Sequence, residues 1–370
     1  MGRAYGETLR AGIQGIVDIR YHALLVGDFL KAHGEPMVRA LAERQILVLE
    51  RNEAYRDAHE LFLGIVEGAD VPPHQLMAMQ NYTDLRDAGF VAYEDLERML
   101  GRSVPRQGST DSSASADRDA GGCSAWRVCH SAGEVDLAGQ TWDMHATALD
   151  YVVLLHIRGE GGLPDRHALT IMGCPPLCGV TSAGLMVMIN NVFSKQVNVD
   201  GLPWPYLVDT MLKQPTLEAA RAYLQGHLPM STHNYMLVGR QRVFNIEATG
   251  SEWVETHNIA GDGEVFHTNH CLNPGLAETM PSGRKSGTTY ARFSALEGYL
   301  GEGRYQGIVS QAQFAEDVLL DGGRACVNVP RPEALHGPMT CGGLDVDLKR
   351  REARFFRGPY GDGVYQDLTF

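Results

Sequence analysis

Leu9, Ile13, Ile16 and Val17 fall at three- and four-residue steps, and Met37, Leu41, Ile46 and Leu49 repeat a looser version of that period. Apolar residues so spaced share one face of an α-helix, so the chain up to about residue 100 is predicted to be mostly helical. LFLGIVEGA continues the pattern, and after the turn Val71-Pro72-Pro73 a helix restarts, since proline is tolerated in a first turn. Beyond Cys123 the period changes. SAWRVC, TWDMHA, YVVLLHIR, HALTIMG, GLMVMINNV, HNYMLVG and RVFNIEAT are short runs rich in β-branched and aromatic residues, separated by Gly, Pro, Asp or Asn. These read as strands, several apolar on both faces as strands between covering layers are. A helix is predicted at LEAARAYLQG and two more at TTYARFSALEGYL and SQAQFAEDVLL, with strands returning at GGLDVDLKRREARFFRG. Helices, then sheets, then helices predict an α+β fold built as a layered sandwich. No internal repeat interrupts this order.

Between the helical and the strand-rich parts lies RQGSTDSSASADRDAGG, residues 106–122, without a Val, Ile, Leu, Met or aromatic residue. Such a run cannot bury a core and reads as a linker over about 103–122. It ends in Gly-Gly and runs directly into Cys123 and a strand. That junction suits internal autoproteolysis. The Cys123 thiol would attack the carbonyl of Gly122, and glycine has no Cβ to block the attack or resist a strained backbone. Cleavage would then leave an α-amino group on Cys123, whose ordinary pKa near ~8 lets it serve as general base for its own thiol. Two fragments would result, 1–122 and 123–370, sharing one globular fold. The plainer alternative is an ordinary loop entering a strand, with Cys123 a small buried residue.

Composition narrows the functions. Hydrophobic residues make up 44% and charged residues 21% of the 370 positions, a globular balance. Against 32 Lys and Arg stand 45 Asp and Glu, a net charge of -13, the wrong sign for a protein that binds by neutralising phosphates. No nucleic-acid partner is therefore expected, and a phosphate-bearing acyl-coenzyme A is mildly disfavoured. No run approaches 18 apolar residues, and the first 25 residues carry acidic side chains where a signal peptide would be apolar, so a cytoplasmic protein without a membrane partner is expected. Seven scattered cysteines are unlike a disulfide framework. Cys174 and Cys178 with His267 and His270 could suggest a metal, yet their spacing is looser than closed zinc sites use, and no metal is expected. No G-x-S-x-G, phosphate-binding or dinucleotide fingerprint occurs, so no cofactor is expected either.

Six segments, in order, bear a resemblance to a known family: LFLGIVEGADV, GGCSAW, GQTWD, CGVTSAGLMVMINN, FNIEATG and HTNH. On these the chain resembles the acyl-coenzyme A:6-aminopenicillanate acyltransferase family of N-terminal-nucleophile (Ntn) hydrolases, relatives of the bile-salt and penicillin V acylases. The resemblance implies a four-layer αββα sandwich, an inactive precursor cut between Gly122 and Cys123, and Cys123 as nucleophile. It further implies Asp143 as the carboxylate that orients the new amine and Asn269, in HTNH, as an oxyanion donor. Arg292, in TTYARF, is implied to lie near the nucleophile. Where the family often has Asn this chain has Thr181, an expected oxyanion or substrate contact, and the family's Ser-Arg pair stands here as Ala291-Arg292. The expected activity is hydrolysis of a small N-acyl amide through an acyl-enzyme. Transfer of an acyl group from a thioester or amide to an amine is the alternative, and a non-enzymatic binding module on the same fold is the second. The expected partners are a small acyl amide or acyl donor and the chain's own two fragments; the sequence also allows a homo-oligomer.

Overall fold

The computed structural model describes residues 1–26, 33–106, 122–133, 135–281, 288–301, 338–358 and 363–370. Most of the predicted linker, the predicted helix SQAQFAEDVLL and Cys326 lie outside the described residues.

The first hundred residues form helices α1 (Gly2–Thr8), α2 (Arg10–Val26), α3 (Gly34–Arg51), α4 (Arg56–Ala69), α5 (Pro73–Gln80), α6 (Tyr82–Ala88) and α7 (Tyr93–Leu100). Helices α1 and α4 touch backbone to backbone through glycines on both. A Cβ on Gly6 would lie 2.8 Å from the Ala69 nitrogen, and one on Gly68 only 2.3 Å from the Arg3 oxygen. Proline occupies the first position of α5, as the Val-Pro-Pro turn predicts. Among the described residues no helix is long and apolar enough to cross a membrane.

Strands follow as β1 (Ser124–His130), β2 (Val135–His145), β3 (Val152–Ile157), β4 (Arg166–Ile171), β5 (Cys178–Thr181) and β6 (Met186–Asn191). Then come α8 (Trp204–Leu212), α9 (Leu217–Gly226), β7 (His233–Gly239), β8 (Arg242–Ala248), β9 (Trp253–Ala260), β10 (Gly263–His267), α10 (Pro274–Glu278) and α11 (Thr288–Gly301). The chain closes with β11 (Pro338–Asp347), β12 (Glu352–Arg357) and β13 (Val364–Thr369). They make two antiparallel sheets, one ordered β10-β1-β2-β11-β12-β13 and one running β3 to β9 in sequence. The sheets are joined through Gln140 of β2, whose Nε2 donates to the Ile189 oxygen at 2.6 Å while its Oε1 accepts from the Ile189 nitrogen at 3.0 Å. Helices α8 and α9 pack on the seven-stranded sheet and α11 against β10. The N-terminal helices join the same core. Gln80 of α5 donates to the Gly173 oxygen at 2.7 Å and accepts from the Tyr206 hydroxyl at 2.7 Å, both across the Gly122–Cys123 junction. The α+β sandwich is thus present.

One buried carboxyl makes stability pH-dependent. Asp345 of β11 is 3% exposed, and burial, reinforced by Asp367 and opposed by Arg354, pushes its pKa up to about 8. An unfolded Asp ionises near ~3.9, so between the two values the unfolded chain holds fewer protons and stability falls as pH rises. Asp345→Asn should therefore raise the thermal midpoint at pH 8 more than at pH 5, with a slope of up to about 1.4 kcal/mol per pH unit. A gap that does not change with pH would show that Asp345 is already ionised in the fold.

Candidate active site

Cys123 immediately precedes β1, which runs between β2 and β10; Ser124 faces Thr141 and Ala125 faces His267. This register carries the GQTWD segment of β2 past the cysteine and delivers HTNH, at the end of β10, from the other side. Asp143 is buried on β2, where its Oδ1 accepts from the Thr340 hydroxyl at 2.7 Å across the β11 pairing. The Asp143 backbone N–H and the Gln140 amide both reach the Cys123 sulfur. Burial above all, then the Asp143 carboxylate, push the Cys123 thiol up to about 12, against the opposing pull of that N–H, Arg292 and Gln140. In the uncut chain the thiol is therefore neutral at physiological pH.

Asn269 follows β10 and is tied to the start of α11, its backbone N–H donating to Thr289 Oγ1 at 2.8 Å. Arg292 lies one turn further along that helix and is 2% exposed. It is no surface arginine. Nη1 donates to the Cys123 carbonyl at 3.0 Å and to Ser124 Oγ at 2.9 Å, and Nη2 donates to Asn269 Oδ1 at 2.7 Å. Asn269 Nδ2 donates one of its two hydrogens to the Asn191 carbonyl at 2.8 Å, which leaves the second for a ligand in the cleft it lines. Gly122 sits directly against these groups. A Cβ there would come within 2.3 Å of Arg292 Nη2 and 2.4 Å of Asn269 Oδ1.

Glu247, in the FNIEATG segment on β8, holds this corner in place. Its carboxylate accepts from His267 Nε2 at 3.0 Å and from the Asn273 backbone at 3.0 Å. His267 Nδ1 meets the Thr268 carbonyl at 2.7 Å. Both ring nitrogens are so occupied, while Cys174 Sγ lies 3.7 Å from Met79 Sδ. These residues serve packing and positioning.

Thr181 is not brought to the site. Its hydroxyl accepts from the Ala183 and Leu185 nitrogens, both at 3.2 Å, and so caps the tight turn between β5 and β6. The cleft lies at the other end of that hairpin. There Asn190 Nδ2 donates to the Cys123 carbonyl at 3.0 Å, and Asn234 supports it, donating to Asn190 Oδ1 at 3.2 Å. Asn191 is clamped by Arg86 and Asp87 of α6. Sequence reasoning reads MVMINN as a strand and passes over its two asparagines. The signal is available, because amides that end an otherwise apolar buried strand need partners. Gln140, Arg20, Tyr82 and Arg86, all at the cleft or its cysteine, are likewise not singled out by the sequence.

Residues 131–302 match the family described as acyl-coenzyme A:6-aminopenicillanic acid acyl-transferase. The match takes in Asp143, Asn269 and Arg292 and begins after Cys123. No curated protein matches in sequence. Among solved structures the chain is similar to a Caenorhabditis elegans N-acylethanolamine-hydrolyzing acid amidase ortholog, at 15% identity over 61% of this chain and 93% of that one, with a TM-score of 0.42. It is also similar to a mutant of the Clostridium perfringens conjugated bile acid hydrolase, at 10% identity over 67% and 92%, with a TM-score of 0.44. A third similar structure is the penicillin V acylase of Agrobacterium tumefaciens, at 12% identity over 67% and 86%, with a TM-score of 0.36.

Proposed function

We propose that the chain, whose residues 131–302 match the family described as acyl-coenzyme A:6-aminopenicillanic acid acyl-transferase, is an Ntn enzyme of the amidase and acyltransferase class that is made as a precursor, cuts itself between Gly122 and Cys123, and then hydrolyses a small N-acyl amide. In the first step Cys123 Sγ attacks the Gly122 carbonyl carbon, the peptide nitrogen leaves as the Cys123 α-amine, and water opens the resulting thioester. Gly122 ends as a carboxylate and Cys123 regains its thiol. In turnover the α-amine takes the thiol proton, sulfur attacks the substrate carbonyl, and the protonated leaving amine departs before water releases the acid. Asp143, next to the sulfur, favours the protonated amine and orients it. The remaining N–H of Asn269 Nδ2 stabilises the oxyanion, a role typically worth about 3 kcal/mol. Arg292 holds both Asn269 and the Cys123 carbonyl in register.

The observation that carries this reading is the convergence at one cleft of Cys123, Asp143 and Asn269 with a glycine whose side-chain space is already filled by Asn269 and Arg292. The six described cysteines are all unpaired, which supports a reducing, cytoplasmic setting. Fragments 1–122 and 123–370 should stay associated through contacts such as Gln80 with Tyr206 and Gly173.

Denaturing electrophoresis of the purified protein should resolve fragments of about 13 and 27 kDa, dividing 40.5 kDa in proportion to length, and the larger should begin Cys-Ser-Ala-Trp. A single 40.5 kDa band in an active preparation would overturn the processing step. The family's name favours acyl transfer as the second reading. Adding a primary amine during turnover separates the two, because a transferase yields a new amide where a hydrolase yields the free acid.

A further inference from the structure

Arg20 of α2 lies in the same cleft as Cys123 and is 7% exposed. Its guanidinium carbon sits 5.2 Å from the centre of the Tyr82 ring and 5.9 Å from that of Trp142, so aromatic walls flank the group. Nη1 donates to the Met79 carbonyl at 3.3 Å. Nη2 is buried and donates to nothing among the described residues. Arg86, Arg127 and Arg166 are comparably buried, and each has a carboxylate at ion-pair distance, in Asp87, Asp136 and Asp209. Arg20 has no such carboxylate among the described residues; Arg292 lacks one too but donates to three neutral oxygens, where Arg20 donates to one.

A guanidinium does not shed its proton in a protein, so burial leaves Arg20 a cation without a counterion among the described residues. The groups acting on it are consistent with this: burial pulls its pKa down, and only Cys174, Tyr82 and Cys341 pull it back. A planar fork flanked by ring faces, on a residue that lines the cleft and has an N–H group without a partner among the described residues, suits the planar oxygens of a carboxylate. The other arginine of the cleft, Arg86, is already matched by Asp87.

We propose that Arg20 is the specificity residue of this cleft and that the molecule bound there carries a carboxylate, which takes the Nη2 hydrogens in place of the missing counterion. The proposal uses the Cys123 reading only in calling that molecule a substrate. The carboxylate belongs either to the acyl part or to the amine part, and each has its own test pair. Glutaryl anilide against the anilide of glutaric acid monoamide places the charge on the acyl side. Hexanoyl-glycine against hexanoyl-glycinamide places it on the amine side.

For the processed protein, one pair should show at least a tenfold preference in kcat/KM for the carboxylate member, carried by KM. In Arg20→Met the preference should collapse to within about threefold, while Arg20→Lys keeps part of it. The pair that responds identifies the side that carries the charge. Calorimetric binding of the same four compounds to the uncut Cys123→Ala protein gives a readout that needs no turnover and no Arg20 variant. Tighter binding of a carboxylate than of its carboxamide, by tenfold or more, supports the site even if Cys123 is not the nucleophile. Equal binding within both pairs, or an Arg20→Met variant that lowers both members of each pair by one factor, would overturn it.

Discussion

Cys123→Ala should leave a single uncut chain with no detectable turnover, a loss of more than about 10⁴-fold set only by the assay floor. The expectation is this large because one side chain supplies both steps. In the proposed mechanism its sulfur opens the Gly122 peptide, and the amine thereby freed is the base that activates the same sulfur for substrate. Before cleavage the thiol is held neutral, its pKa pushed up to about 12, by burial and by the neighbouring Asp143 carboxylate. Cys123→Ser should still cut slowly, because a hydroxyl makes the same acyl shift. Cys129→Ala and Cys174→Ala should process normally. Cys174 is fully buried beside Met79, so its loss costs stability through a small cavity, not chemistry. If either abolished processing in a protein of unchanged thermal midpoint, the nucleophile would be wrongly assigned.

The legibility of this protein in its sequence follows what each signal encodes. Strands β1, β3, β4, β6, β7 and β8 are readable because they are short runs rich in apolar, β-branched and aromatic residues bounded by turn residues. Strands β9, beginning at Trp253, and β13 are not. Their half-exposed sequences, WVETHNIA and VYQDLT, mix polar and apolar residues without a clean period, and neighbouring strands decide their conformation. Helix α8 escapes for the opposite reason: WPYLVDTML is buried almost throughout, so no polar face marks a helical period. Cys123, Asp143, Asn269 and Arg292, which the structure brings together, sit in short segments that resemble a family. Thr181 is misplaced because its segment is matched by position, and position along a hairpin does not say which end meets the cleft. Asn190 and Asn191 stand at the end that does. Arg20 cannot be read at all, because its separation from every carboxylate among the described residues is a property of three-dimensional packing and leaves no trace in local sequence.

Gly122→Val should block processing almost as completely as loss of the nucleophile, by at least about 10²-fold in the rate at which the two fragments appear. The block is steric and specific to this junction. A Cβ at residue 122 meets Arg292 Nη2 at 2.3 Å and Asn269 Oδ1 at 2.4 Å, distances that force one of the two to move. Neither is loose. Arg292 is pinned by the Cys123 carbonyl, Ser124 Oγ and Asn269 Oδ1, and Asn269 by the Asn191 carbonyl and the Thr289 hydroxyl. Making room therefore breaks the contacts that hold Asn269 and Cys123 in register, and a displacement near ~1 Å at a reacting centre costs about 10² in rate. The defect should lie in maturation alone, because Gly122 leaves the nucleophile once the bond is cut. Co-expressing residues 1–122 carrying Gly122→Val with a separate chain that starts at Cys123 after removal of its initiator Met should restore turnover to within about tenfold of the self-processed enzyme. If that pair assembled but stayed inactive, Gly122 would be acting on the mature site. Unimpaired cutting of the single-chain Gly122→Val protein would mean that Arg292 and Asn269 yield where their hydrogen bonds say they are fixed.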